Sequence, residues 1–195
     1  MKQTFNPRFV TLLCFILALA VIRILNVEKL TYFNEYTPLG AMCMFGGAYF
    51  TSKWKAIIFP LGMLLVSDLV INQVVYHGKY GIMYSSWPFV YAIFGLIALY
   101  SRQILQKINV KNIVLGAVAA SVGHWILADT MVFIGGGTDI RTMLPLSRDW
   151  AGYVQCLTQG IPFLKNFFVG TIAYSAIMFG AFELLQVRFP RLAIA

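Results

Sequence analysis

The chain has 195 residues, of which 59% are hydrophobic and 11% are charged, and its mean hydropathy is +0.76. A soluble domain carries about 25% charged residues, so this composition excludes a soluble enzyme, a disordered tail and a nucleic-acid-binding protein. The net charge of +8 is then expected from basic residues in cytoplasmic loops rather than from a nucleic-acid partner.

Six apolar runs predict an all-α integral membrane protein, a single domain of residues 1–195 built as one bundle of six transmembrane helices. The runs are continuous, which favours helices over the alternating strands of a membrane barrel. Their approximate bounds are 9–27, 38–51, 57–76, 87–101, 113–134 and 166–186, with the longest external loop at 135–165.

Two segments in this scheme leave alternatives open. The run at 38–51 is short and glycine-rich, so it is predicted to be tilted, broken or packed inside the bundle. Residues 150–164 of the long loop are amphipathic, and they fit a surface helix, a re-entrant segment or a lid.

The loops between the runs carry charge asymmetrically. One alternating set holds nine basic residues and no acidic ones, whereas the other set holds five basic and four acidic residues. The basic set comprises Lys2, Arg8, Lys53, Lys55, Arg102, Lys107, Lys111, Arg188 and Arg191. Because Lys and Arg concentrate in cytoplasmic loops, both termini are predicted to be cytoplasmic, and the chain is expected in a bacterial inner membrane.

No motif predicts catalysis, a cofactor or a metal site. Gly135-Gly136-Gly137 is only superficially like a phosphate-binding loop, because the pattern GxxxxGK[ST] is absent. Cys14, Cys43 and Cys156 lie in separate segments without CxxC spacing, which argues against a disulfide framework and a zinc site. GxSxG and HExxH are absent as well. We therefore expect neither an enzyme nor a cofactor.

The third run carries the first group of candidate ligand-binding residues. Asp68 and Asn72 are four residues apart, which places them on one face of a helix, and His77 follows near the external end. Ionisable groups inside a membrane are costly and indicate function by default. This polar stripe is predicted to line a ligand cavity, and the alternative is a buried Asp68 that is hydrogen-bonded to a neighbouring helix.

The fifth run carries the second group, His124, Trp125 and Asp129. His124 and Asp129 are five residues apart, which is a poor spacing for two metal ligands on one helix. A hydrogen-bonded core histidine is the default interpretation, and contact with a ligand is the alternative.

Aromatic side chains form the third group. Tyr84, Trp87 and Tyr153 are predicted near the external face, where an interfacial aromatic belt accounts for them. The same rings would also suit the walls of a pocket for a flat organic ligand.

Short apolar segments spread over residues 37–185 carry a family resemblance. They are Thr37–Met42, Phe45–Phe50, Pro60-Leu61, Leu64–Leu69, Ala151–Tyr153, Gly160–Phe163, Asn166 and Gly170. Together they resemble the S-components, which are the substrate-binding membrane subunits of energy-coupling-factor (ECF) vitamin transporters, and a family of S-component-like bacterial membrane proteins.

This resemblance implies six helices, cytoplasmic termini and a pocket near the external face for a vitamin or related micronutrient, with a corrinoid such as cobalamin among the candidates. It also implies docking to a coupling membrane subunit that two ATPases drive. It adds Asn166 to the candidate ligand-binding residues.

The function predicted from these observations is membrane transport: the protein binds such a ligand near the external face and delivers it inward. Two other functions stay open. An accessory or structural subunit of a larger membrane complex would have no pocket, and a membrane enzyme acting on a hydrophobic substrate would need Asp68, His124 and Asp129 to converge.

Overall fold

The computed structural model describes residues 6–32, 34–79 and 81–193, and this part of the chain is all-helical, without a β-strand. Its six α-helices are α1 (Pro7–Val27), α2 (Leu39–Tyr49), α3 (Lys53–Val70), α4 (Trp87–Ile104), α5 (Val110–Ile134) and α6 (Trp150–Arg188). A π-helical segment, Ile71–Val75, extends α3, and a short 3-10 helix, Pro190–Leu192, follows α6. Lys2 of the basic set lies outside the described residues. The all-helical prediction is confirmed.

Four helical segments of the described chain are long and apolar enough to cross a membrane. They are Pro7–Val27, Lys53–Val75, Val110–Ile134 and Trp150–Arg188. The membrane character that the composition predicted therefore has a structural counterpart in helices of sufficient length.

Helix α2 is the centre of the bundle. Every residue of this helix except Ala48 is buried, and its length of about 16 Å is half the hydrocarbon thickness of about 30 Å. A Cβ atom on Gly47 would lie 2.4 Å from the carbonyl oxygen of Ala98 in α4, and one on Gly40 would lie 2.2 Å from Thr171 Oγ1 in α6. The sequence left open whether this glycine-rich run is tilted, broken or packed inside the bundle. In the structure its glycines are the residues that let α2 approach its neighbours.

The two ends of the described chain meet at one end of the bundle. Arg8 in the first turn of α1 donates hydrogen bonds to Gln186 Oε1 (3.1 Å), to the Tyr49 carbonyl oxygen (3.3 Å) and to the Leu192 carbonyl oxygen. Near the same end, Arg102 of α4 donates to the Phe50 carbonyl oxygen at 2.7 Å. This end of the bundle holds the start of α1 and the ends of α2, α4 and α6. Successive helices therefore run in alternating directions.

Helix α6 has 39 residues and a length of about 58 Å. It begins at Trp150, so the later half of the segment predicted as an external loop, 135–165, is helical and continuous with the predicted run at 166–186. Asp149 caps the helix by accepting a hydrogen bond from the Gly152 N–H at 2.8 Å. Pro162 is exposed, and the helix continues through it although proline removes one main-chain hydrogen bond.

The remaining loop, 135–149, is ordered by its own side chains. Thr138 and Pro145 form an isolated antiparallel bridge, and the Arg141 guanidinium pairs with the Asp139 carboxylate at 2.7 Å. Arg148 Nη1 donates to the carbonyl oxygens of Phe133 and Ile134 at 3.0 and 2.9 Å, which satisfies carbonyls at the C-terminal end of α5.

Candidate functional site

A cavity of about 580 Å³ lies between α5, α6 and the linker that joins α1 to α2. We call it the α5–α6 cavity. Its walls are formed by Glu35, Thr37, His124, Trp125, Ala128, Asp129, Val132, Gly160, Phe163, Leu164, Asn166 and Phe167. Four of the residues predicted from the sequence meet here: His124, Trp125 and Asp129 from α5, and Asn166 from α6.

Aromatic rings hold His124 in the cavity wall. Its imidazole stacks on the Phe167 ring with a centroid distance of 4.5 Å and an interplanar angle of 9°. The Phe94 ring of α4 lies 5.3 Å away in a tilted arrangement. Packing against the rings of Phe94 and Phe167 is therefore the contact that the structure shows for this side chain.

Trp125 connects the two helices that form the cavity. Its indole Nε1–H donates to the Leu157 carbonyl oxygen of α6 at 3.0 Å. This hydrogen bond satisfies the polar end of the indole and fixes its ring as a wall of the cavity.

Asp129 lies at a close contact between α5 and α6. A Cβ atom on Gly160 would be 1.8 Å from Asp129 Oδ2 and 2.9 Å from Trp125 Nε1, so only glycine fits this position without a shift of its neighbours. The main-chain carbonyl of Asp129 accepts a hydrogen bond from Cys156 Sγ at 3.3 Å. Asp129 Oδ2 is buried and has no hydrogen-bond partner among the residues that the structure describes.

Tyr153 lies outside the cavity wall, towards the N-terminal end of α6. Its hydroxyl is 2.9 Å from Thr130 Oγ1 of α5, and its ring packs on Phe133 with a centroid distance of 5.4 Å. Tyr153 of α6 therefore contacts α5 beside the cavity.

Asp68 belongs to a separate cluster formed by α1, α3 and α4. Its carboxylate pairs with Arg23 Nη2 at 2.5 Å and accepts hydrogen bonds from the hydroxyls of Tyr91 at 2.9 Å and Tyr84 at 3.4 Å. The carboxylate is 2% exposed. Both oxygens thus have partners, which matches the alternative of a buried, hydrogen-bonded Asp68.

The other sequence candidates also lie away from the α5–α6 cavity. Asn72 is buried in the π-helical segment, and His77 follows it as an exposed residue with a φ of 50°. Trp87 packs edge-on against the ring of Tyr91, with centroids 5.5 Å apart. Asp68 and Asn72 are thus both buried, whereas His77 is exposed, and none of the three residues lines the α5–α6 cavity.

Sequence reasoning missed three kinds of contribution to the cavity: the two linker residues Glu35 and Thr37, the aromatic rings Phe163 and Phe167, and the close contact at Gly160. The rings and the glycine carried a usable signal, because they share a helix with Asn166 at a spacing that repeats along one face. The linker residues carried none.

Charges on the loop beside the cavity are paired locally. The side chain of Arg141 donates hydrogen bonds to Asp139 and holds the pKa of that carboxyl below its usual range. The pKa of Asp149 is lowered as well, first by the hydrogen bond from the Gly152 N–H and then by the one from Ser147 Oγ. Within the described ranges, no group of three or more His, Cys, Asp or Glu side chains is arranged to hold a metal ion.

Comparison with known protein families matches residues 3–192 to DUF6580, a family of unknown function. No curated protein and no solved structure matches the chain. The family match covers almost the entire sequence, but it carries no information about substrate or mechanism.

Proposed function

The chain belongs to the DUF6580 family, and we propose that it is a membrane transport protein that binds a small organic molecule of the vitamin class in the α5–α6 cavity. The observation that carries this proposal is the cavity itself, in which aromatic walls surround a few polar side chains. Binding sites for small molecules are cavities of about 300–1,000 Å³ with mostly apolar walls and a few polar groups that orient the ligand.

The contents of the wall favour a flat ligand. Trp125 and Phe163 contribute aromatic side chains, and Asn166 and Asp129 contribute polar ones. A cavity of about 580 Å³ suits a drug-sized molecule, so a vitamin of that size is favoured over the much larger corrinoids. The protein binds its ligand without converting it chemically, and the ligand and the lipid bilayer are its first partners.

For the membrane arrangement we propose six spans with both termini on the cytoplasmic side of a bacterial inner membrane. The end of the bundle where Arg8 and Arg102 lie is the basic end, and basic residues concentrate on the cytoplasmic side. Under this orientation the α5–α6 cavity is nearer the external side, together with the acidic residues Glu35 and Asp139. A cysteine placed at the exposed Thr142 would then react with an impermeant maleimide on intact cells, whereas one placed at Lys107 would not.

The resemblance to S-components supports the further proposal that a coupling membrane subunit with ATPases drives release of the ligand inward. An accessory subunit would have no need for a cavity of this kind. An enzyme active site built from Asp68, His124 and Asp129 is not favoured, because Asp68 is saturated by partners on α1 and α4.

The test is to purify the protein gently, identify small molecules that accompany it by mass spectrometry, and measure thermal stabilisation by each one. A ligand at a hundredfold excess over its Kd stabilises the folded protein by about 2.7 kcal/mol. Ala128→Phe fills the cavity and is expected to abolish the stabilisation, whereas Ala92→Phe, at an exposed alanine of α4, is the matched control and retains it. The absence of both an accompanying molecule and any stabilising compound would contradict the proposal.

A further inference from the structure

Charged side chains in the wall of the α5–α6 cavity have one sign. Glu35 and Asp129 are its acidic residues, and no Lys or Arg is among the described residues that line it. The protein as a whole has a net charge of +8, so this local excess of negative charge opposes the overall composition.

Asp129 differs from the other two carboxylates within the described helices. Asp68 pairs with Arg23 and accepts two tyrosine hydroxyl hydrogen bonds. Glu183 accepts hydrogen bonds from the Tyr49 hydroxyl at 2.5 Å and from Gln186 Nε2 at 3.0 Å. Asp129 Oδ2 is buried without any such partner in the described part of the chain.

An uncompensated carboxylate at membrane depth is costly, and such groups are normally paired. Trp125 Nε1–H of the wall does not supply the partner, because it is already bonded to the Leu157 carbonyl oxygen. Oδ2 itself is closed off against Gly160, so a positive charge from outside the chain is expected to pair with the part of the Asp129 carboxylate that lines the cavity.

The aromatic residues of the cavity wall favour a positively charged ligand. Trp125, Phe163 and Phe167 all line the cavity, and the faces of Trp and Phe rings attract cations. A carboxylate beside ring faces is the combination that binds quaternary and protonated nitrogen groups, whereas it repels carboxylate and phosphate ligands.

We infer that the α5–α6 cavity selects organic cations with a flat ring, such as N-alkylated heteroaromatic compounds, and that Asp129 provides the negative charge that pairs with them. This inference rests on the proposed function and specifies its substrate class. Glu35, which is exposed in the linker between α1 and α2, adds attraction at the edge of the cavity.

Three molecules that share one ring test the inference: 1-methylnicotinamide as the cation, nicotinamide as the neutral form and nicotinate as the anion. Their affinities for the detergent-purified full chain are measured by quenching of tryptophan fluorescence and by thermal stabilisation at a pH where nicotinate is ionised. We expect the cation to bind at least about tenfold more tightly than the other two, which corresponds to about 1.4 kcal/mol.

Asp129→Asn keeps the shape of the side chain and removes its charge, so it is expected to abolish the preference for the cation. Glu28→Gln removes one acidic charge from an exposed residue that does not line the cavity, and it should leave the preference unchanged. An Asp129→Asn variant that still prefers the cation as strongly as the wild-type protein does would overturn the assignment of Asp129.

Tighter binding of nicotinamide or nicotinate by the wild-type protein would overturn the inference and leave the proposed function standing. Failure of all three molecules to bind at millimolar concentration would also overturn it. The proposed function would be contradicted in addition only if no small molecule accompanied the purified protein and no compound stabilised it.

Discussion

Gly160→Ala perturbs the contact on which the α5–α6 cavity depends. The new Cβ atom would lie 1.8 Å from Asp129 Oδ2 and 2.9 Å from Trp125 Nε1, so the carboxylate has to move by about 1.6 Å to reach an ordinary separation of about 3.4 Å. Overpacking of this kind costs about 1–3 kcal/mol. Alanine is more favourable than glycine in a helix by about 1 kcal/mol, so the net loss of stability is expected to be at most about 2 kcal/mol.

The consequence for binding should be larger than the consequence for stability. A carboxylate displaced from the cavity wall loses its alignment with the ligand, and a charge-assisted hydrogen bond contributes about 1.5–3 kcal/mol. We therefore expect affinity for an accompanying ligand to fall at least about tenfold, measured by fluorescence titration together with thermal unfolding.

Gly180→Ala is the matched control on the same helix, because a Cβ atom there meets nothing within 4 Å. It should bind ligand as the wild type does and should be equally or slightly more stable. The reasoning is refuted if Gly160→Ala and Gly180→Ala behave alike in both assays.

Two further predictions concern regions outside the cavity. Arg23→Met leaves the buried Asp68 carboxylate without its cation and should destabilise the protein by about 3 kcal/mol. Ligand affinity should stay within about twofold of wild type, because neither residue lines the cavity. A large loss of affinity without loss of stability would contradict this structural role. Because the pKa of Asp139 is lowered by Arg141 in the folded protein, its contribution to loop stability is present above the unfolded value of about 3.9 and is lost as the pH falls through the folded pKa. Proteolysis of loop 135–149 should therefore accelerate below about pH 4 in the wild type, and Asp139→Asn should be cleaved faster than wild type at neutral pH; an unchanged rate in that variant would refute the pairing.

Composition and continuous hydropathy were sufficient to predict the helical character and the approximate positions of most helices. They could not give the length of α6, because Gly152, Gly160 and Pro162 are residues that usually end helices. In the structure Gly160 is instead a packing position against Asp129, and Pro162 lies on an exposed side of the helix. Residues that break a helix in isolation are tolerated where a neighbouring helix or an exposed face accommodates them.

The candidate site could be predicted only in part, because it depends on which helices are neighbours. His124, Trp125 and Asp129 are close in sequence within one predicted helix, so the sequence alone grouped them, whereas the approach of α6 depends on the contact at Gly160. The partner of Asp68 is a different case, since Arg23 is 45 positions away and no local pattern connects them. Two opposite charges in different apolar runs are compatible with pairing. The sequence, however, does not specify which helices are neighbours.

The most direct test is a structure of the protein determined with the small molecule that accompanies it through gentle purification. We expect this molecule in the α5–α6 cavity itself, with a ring against Trp125 and a donor group within hydrogen-bond distance of the Asp129 carboxylate. A ligand found elsewhere, such as in the apolar groove between Val110 and Gly180, with the α5–α6 cavity left open, would contradict the claim that this cavity is the binding site.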